Sequence, residues 1–181
     1  MTQADKNFIE TCKEILEHGY SSEGTGVRTR WEDGTEANYI SIVGVSNKYD
    51  VEKEFPMITL RNNTNTVKRA IDEILWIWQK KSNKVSDLNS HIWDQWAGED
   101  GTIGKAYGYQ LAKKYEFKTK EGMQTLDQVD YMLYLLKHDP ASRRIMTNIF
   151  DFGDLKDMNL EPCAFGTQWL VKGGKLHLIL N

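Results

Sequence analysis

Phe165-Gly-Thr-Gln-Trp-Leu-Val-Lys-Gly-Gly-Lys-Leu-His-Leu-Ile-Leu-Asn181 is the stretch on which the fold turns. Two apolar, β-prone runs, residues 165–171 and 175–180, flank Gly173-Gly174, and a glycine pair supplies the positive φ angles that a two-residue hairpin requires. Just upstream, residues 145–150 (Ile-Met-Thr-Asn-Ile-Phe) predict another strand. Before the strands come helices. Residues 126–137 carry an amphipathic pattern closed by Asp139-Pro140, because proline cannot continue a helix. In residues 66–80, Val67, Ala70, Ile71, Ile74, Leu75, Ile77 and Trp78 cover most of a helix circumference, which predicts a buried helix, with Asn65 as its cap. Residues 5–18 place Phe8, Ile9, Cys12, Ile15 and Leu16 on one face, and Gly19 ends the pattern. Residues 21–37 read as a loop and residues 39–46 as a β-branched strand, whereas the aromatic, glycine-bearing residues 90–108 fit neither period. Helices early and strands late make the fold class α+β, with a largely antiparallel or mixed sheet.

The chain has 181 residues, enough for one domain with a real core, and no repeat or linker divides it. Its net charge of −3 and sequence pI near 5.8 give no case for a nucleic-acid or membrane-surface binder. Six Trp among 11% aromatic residues exclude a disordered chain. No apolar run is long enough to span a bilayer, and Met1-Thr-Gln-Ala-Asp-Lys-Asn-Phe8 lacks a signal-peptide core. Two Cys, at 12 and 163, do not make a disulfide framework, so the expectation is a reducing, cytoplasmic setting.

Several residues invite a chemical reading. Cys163, after Pro162, is either a small buried hydrophobe or a nucleophile; as a nucleophile it needs a cation, and its sequence neighbours supply none. Cys12 falls on the apolar helix face and reads as core. Arg143 and Arg144 form either a fork for an anion or a solvated basic pair; because adjacent strand residues face opposite ways, one anion would use both only at a bend or across an interface. Arg28, beside glycines, closes over an anion or is simply exposed. Glu73 stands inside the most apolar helix: it is either a carboxylate made suitable for proton transfer by burial, or a helix-edge group paired with Arg69. Trp93 and Trp96, three apart, make an aromatic wall that stacks a planar heterocycle or fills a core. Tyr107 is a positioned hydroxyl or packing. The four His show no metal-ligand spacing and no Gly-rich loop matches a nucleotide fingerprint, so no metal and no dinucleotide cofactor are expected.

Taken in order along the chain, Phe55-Pro-Met-Ile-Thr59, Glu73-Ile-Leu-Trp76, Ile92-Trp-Asp-Gln-Trp96, Tyr107-Gly108, Asp139-Pro-Ala-Ser-Arg-Arg144 and Pro162-Cys163 with Gln168 resemble thymidylate synthase, in a Bacillus- or phage-like form. The resemblance covers the amino-terminal portion of the usual chain, as one domain over residues 1–181. It implies a mixed β-sheet covered by helices, with one sheet face used for homodimerisation. It also implies reductive methylation of dUMP to dTMP, with 5,10-methylenetetrahydrofolate as co-substrate. Cys163 would then be the nucleophile at uracil C6, with Glu73 and Tyr107 as further catalytic groups. Arg28 would bind the dUMP phosphate, with Arg143 and Arg144 reaching the partner's site. Ile92, Trp93 and Trp96 would form the folate wall, and Arg61 would meet the glutamyl tail.

Some positions depart from the family pattern. Ala164 follows the nucleophile where many members have His, Leu60-Arg61 replaces Thr-Lys, and Thr64 stands where some members have a folate-contacting His. Beyond Asn181 the family continues with an Arg that contacts phosphate and nucleophile, an Asn that reads the pyrimidine edge, and a carboxyl-terminal lid. The expectation is therefore that these 181 residues alone are inactive, while a longer chain is a working synthase. The alternatives are a pyrimidine nucleotide hydroxymethyltransferase of the same fold, or a truncated, non-catalytic homologue that only dimerises or binds nucleotide. Trp93 favours methylation, since a bulky ring there excludes water.

Overall fold

Thr2 starts the first helix in the computed structural model, which describes residues 1–61 and 64–181. The Thr2 hydroxyl accepts the Asp5 N–H at 3.1 Å while the Asp5 carboxylate accepts the Thr2 N–H at 2.8 Å, a reciprocal capping box. Helix α1, Gln3–His18, therefore begins two residues ahead of the predicted start, and Gly19 caps its other end. The chain forms two compact units, Met1–Thr64 and Asn65–Asn181.

In the first unit, strand β1 (Tyr20–Ser21) pairs antiparallel with β2 (Ile40–Ser41). The longer strand predicted over residues 39–46 shrinks to these two residues, since the described residues offer Val43 and Val45 no partner ladder and both are exposed. Asp5 is fully buried and accepts three hydrogen bonds, from Thr2 N–H, from Thr59 N–H at 2.6 Å and from the Thr59 hydroxyl at 2.6 Å. That clasp fixes the Phe55–Thr59 segment to the start of α1.

The second unit opens with α2, Thr64–Leu75, which continues as one π-helical stretch, Trp76–Lys80, ending at Lys81 in the left-handed region (φ 51°). Asn65 is already inside α2 and is not its cap. Burial all round holds only for the π-helical end: Trp76 and Ile77 are buried, while Ile71, Ile74 and Leu75 are about half exposed because the core meets only the far end of the helix. That core gathers Trp76, Trp93, Ile103, Tyr107 and Leu111, and a smaller cluster joins Met132, Leu135 and Ile145. The Ser90–Gly108 region has no long element, only a single 3-10 turn at Asp94–Trp96 and the start of helix α3, Gly108–Ala112.

A hairpin that the sequence reading missed follows α3. Strands β3 (Lys114–Thr119) and β4 (Gly122–Asp127) pair antiparallel, and Gly122 takes φ 110° just after the turn. The Asp127 carboxylate then caps α4, Gln128–His138, by accepting the Asp130 N–H at 2.9 Å. Strands β5 (Ile145–Asn148), β6 (Gly166–Lys172) and β7 (Lys175–Leu180) form an antiparallel sheet in that order, with Gly173 and Gly174 at φ 58° and 73° turning β6 into β7. Helices with antiparallel sheets give the α+β class that the sequence predicts.

Candidate active site

Four of the predicted site residues meet in the second unit. The Trp93 indole N–H donates to Glu73 Oε1 at 2.5 Å, the Trp93 ring lies edge-on to the Tyr107 ring at 5.2 Å, and the Cys163 N–H donates to the Tyr107 hydroxyl at 3.1 Å. Carboxylate, indole, phenol and cysteine thus form one continuous path.

Each member is placed by its element. Glu73 lies on the last turn of α2, and the widened π-helical turn beyond it swings Trp76 into the core, where its indole N–H donates to Lys84 O at 3.0 Å and its ring packs on Trp93 at 6.0 Å. Glu73 is half-buried and its partner is Trp93; no Glu73–Arg69 ion pair forms among the described residues. Trp93 is 6% exposed, so its ring is core on one side, and Trp96 leans against it at 5.3 Å and is half-buried, the aromatic wall the sequence suggests. Tyr107 has φ 46° and ψ −106°, far from the conformations an L-residue holds unaided. Gly108 follows because the backbone of Ser82 is too close for any side chain: a Cβ there would lie 2.1 Å from Ser82 O. Pro162 is buried, and the next residue, Cys163, is exposed with a free thiol.

Burial is the chief cause that lifts the Tyr107 phenol above its ordinary range, with the nearby Cys163 and Glu73 adding to it. The phenol therefore stays protonated at neutral pH and is able both to accept the Cys163 N–H and to donate its own proton.

Other predicted residues stand apart from this path. Arg143 and Arg144 are both exposed in the turn before β5; Arg143 O accepts from Gln168 Nε2 at 2.8 Å, and neither guanidinium makes an ion pair among the described residues. In the first unit, Arg28 is exposed behind Gly24 and Gly26, both at positive φ, and Arg61 is exposed two residues beyond the Asp5–Thr59 clasp. The Thr64 side chain lies outside the described residues. Ile92 is half-buried and lines a cavity of about 580 Å³ with Lys68, Arg69, Asp72 and Ser90. Ser90 Oγ is buried and has no hydrogen-bond partner among the described residues. A second cavity, about 690 Å³, lies between Phe117, Tyr131, Arg144 and Phe150 and includes no member of the Cys163 path. Sequence reasoning passed over Ser90, Gln110 and Asp154; an uncharged or acidic residue in a polar run gives no periodic signal.

A family model described as thymidylate synthase matches residues 6–181. Thymidylate synthases of Bacillus subtilis subsp. natto and of Bacillus phage phi3T are each 48% identical over 182 residues, covering 98% of this chain and 63% of their own length. The solved thermostable thymidylate synthase A from Bacillus subtilis superposes with a TM-score of 0.88 at 46% identity, over 99% of this chain and 64% of that one. The chain thus spans a little under two thirds of the relatives it matches.

Proposed function

This chain belongs to the thymidylate synthase family, and from that premise we propose that it carries the nucleophile of an enzyme that methylates dUMP to dTMP. The family match runs through both compact units, and we read residues 1–181 as parts of one domain. The observation that carries the proposal is the Glu73–Trp93–Tyr107–Cys163 path, which links a half-buried carboxylate through an indole and a protonated phenol to the backbone of a cysteine whose thiol is free.

Cys163 acts as the thiolate nucleophile. Its Sγ bonds to C6 of the uracil ring, the C5–C6 π electrons move onto C5 and the O4 carbonyl, and C5 becomes an enolate carbon able to attack an electrophile. When bound, 5,10-methylenetetrahydrofolate supplies the one-carbon unit and the hydride of the new methyl group. Tyr107 orients the groups that remove the C5 proton, and Glu73 holds water and moves protons at the ring. Loss of that proton releases the amine leaving group from the one-carbon unit, and hydride addition to that carbon then re-forms the C5–C6 double bond and expels Cys163 from C6 as thiolate. Arg28 binds the dUMP phosphate, and Arg143 and Arg144 reach the partner's site in a homodimer. An interface resolves the difficulty of two adjacent guanidinium groups serving one anion. A free thiol of this kind suits a reducing, cytoplasmic setting.

The residues present fit the folate. Ile92, Trp93 and Trp96 offer an apolar wall, its two indoles tilted at 58°, the neighbouring cavity carries Lys68 and Arg69, and the buried Ser90 hydroxyl, unpartnered among the described residues, calls for a polar ligand atom. Arg61 adds a cation for the glutamyl tail. Trp93 favours methylation over hydroxymethylation: its bulky ring, anchored on Glu73, would shield the one-carbon group from attack by water.

Release of tritium from dUMP labelled at C5, measured with the complete protein and the folate, tests the proposal. Cys163→Ser is expected to abolish release. Release that survives this substitution would remove Cys163 from the mechanism.

A further inference from the structure

Tyr107 sits at the apex of a backbone kink, and both flanks of the kink are held by one polar network built on the buried Gln110. Before the apex, Gly104 (φ 71°) is pressed on Asp157, where a Cβ would fall 2.1 Å from the carbonyl oxygen, and Lys105 N–H donates to that same oxygen at 2.8 Å. After it, Gln110 N–H donates to Tyr107 O at 3.0 Å. The Gln110 side chain then reaches back across the kink. Its Nε2 donates to Lys105 O at 2.8 Å and to Asp154 Oδ2 at 3.0 Å, so both amide protons are used. Asp154 closes the circuit, accepting from Lys105 Nζ at 3.1 Å and from Lys113 Nζ at 2.9 Å. Gln110 is 1% exposed, and a polar side chain buried so deeply requires partners as well matched as these.

We infer that Gln110 and Asp154 are positioning residues for the reaction proposed above: they tie the two flanks of the kink together and so hold the Tyr107 hydroxyl on the Cys163 N–H. A residue in a sparsely populated conformation persists only where its surroundings over-determine it. Here the backbone contacts of Gly104 and Gly108 fix the ends, and the Gln110–Asp154 pair spans the apex between them. Hydrogen bonds from Gln110, Lys113 and Lys105 keep the Asp154 carboxyl well below the usual carboxylate range, so the network stays charged throughout the working pH range.

Amide hydrogen exchange at Cys163, read by NMR or mass spectrometry in the intact protein, tests the inference without requiring turnover. Asp154→Asn removes the charge and leaves one accepting oxygen where Gln110 and two lysines use two, and is expected to speed exchange at Cys163 at least 10-fold while the amides of β5–β6–β7 keep their protection. Gln110→Met, which keeps the shape and removes both donors, gives the same pattern and serves should Asp154→Asn not fold. Asp157→Asn, which touches Lys105 but neither Gln110 nor Tyr107, leaves Cys163 exchange within about 2-fold. In a Tyr107→Phe background, Asp154→Asn adds nothing further, because the group through which it acts is gone. Equal loosening of the whole unit, or a Cys163 effect that persists undiminished in Tyr107→Phe, overturns the inference. Failure of the wild-type protein to release tritium with this pattern intact would count against the proposed reaction and not against the network.

Discussion

At the scale of single residues, the site depends on groups whose ordinary properties are changed by burial or by a partner. Tyr107 is the clearest. Its phenol is held protonated by burial, its hydroxyl is fixed on the Cys163 N–H, and Tyr107→Phe removes that contact while leaving the ring that packs on Trp93. Tritium release should fall about 10²-fold, the lower end of what a positioned proton-transfer group contributes, with little change in melting temperature. Glu73→Gln keeps an oxygen for the Trp93 indole but removes the charge, so a loss of similar size is expected in kcat with the fold unchanged. Asp5 makes a stability prediction. Hydrogen bonds from the Thr59 side chain, and then from the Thr59 and Thr2 N–H groups, lower its carboxyl to about 2, below the roughly 3.9 of an unfolded chain. A depressed folded value means that Asp5 stabilises fully above about pH 4 and that this contribution disappears as pH falls towards 2. Thermal melts of Asp5→Asn across that window should show a shallower acid limb than wild type; an unchanged limb would mean the clasp is not formed in solution.

At the scale of elements, legibility tracked how regular the physical signal is. Lys175–Leu180 matches its predicted bounds because alternating β-prone residues follow a glycine pair that permits only a turn. Helix α4 was readable from its apolar stripe, displaced at its start because Leu126 belongs to β4. The β3–β4 hairpin was not readable: Lys114-Tyr-Glu-Phe-Lys-Thr119 alternates, but its apolar side chains cover part of α4, with Phe117 stacked on Tyr131 at 3.7 Å, and not a deep core. Strand pairing defeated the 39–46 prediction from the other side, since β propensity without a partner gives only two paired residues. Of the site, Cys163, Glu73 and the Trp pair stood out as anomalies of type, whereas the π-helical turn and the kink at Tyr107 have no signature beyond Gly108. Gly108 makes the element-level prediction. Gly108→Ala drives a methyl group into Ser82 O, and overpacking of this kind costs about 1–3 kcal/mol. Denaturant unfolding should register that loss together with a weakened Tyr107–Cys163 contact; a neutral substitution would show that the approach of Gly108 to Ser82 is looser than described.

At the scale of the molecule, the β5–β6–β7 sheet has two faces with different company. Ile145, Trp169 and Leu178 share one face, which is in the core at Ile145 but 52% exposed at Leu178, while Met146, Gln168 and Ile179 share the other, where none of the three is buried and Met146 and Ile179 are 52% and 42% exposed. The homodimer proposed above would cover this second face, so Ile179→Asp should lower the dimer fraction in sedimentation velocity. The chemistry depends on Cys163 Sγ being the atom that bonds to the pyrimidine, and one measurement addresses that directly. The complete protein is incubated with 5-fluoro-dUMP and 5,10-methylenetetrahydrofolate, where fluorine in place of the C5 proton arrests the cycle, and its intact mass is recorded. The account predicts a gain equal to both ligands, absent in Cys163→Ala. No gain in the wild-type protein, or the same gain in Cys163→Ala, would contradict it.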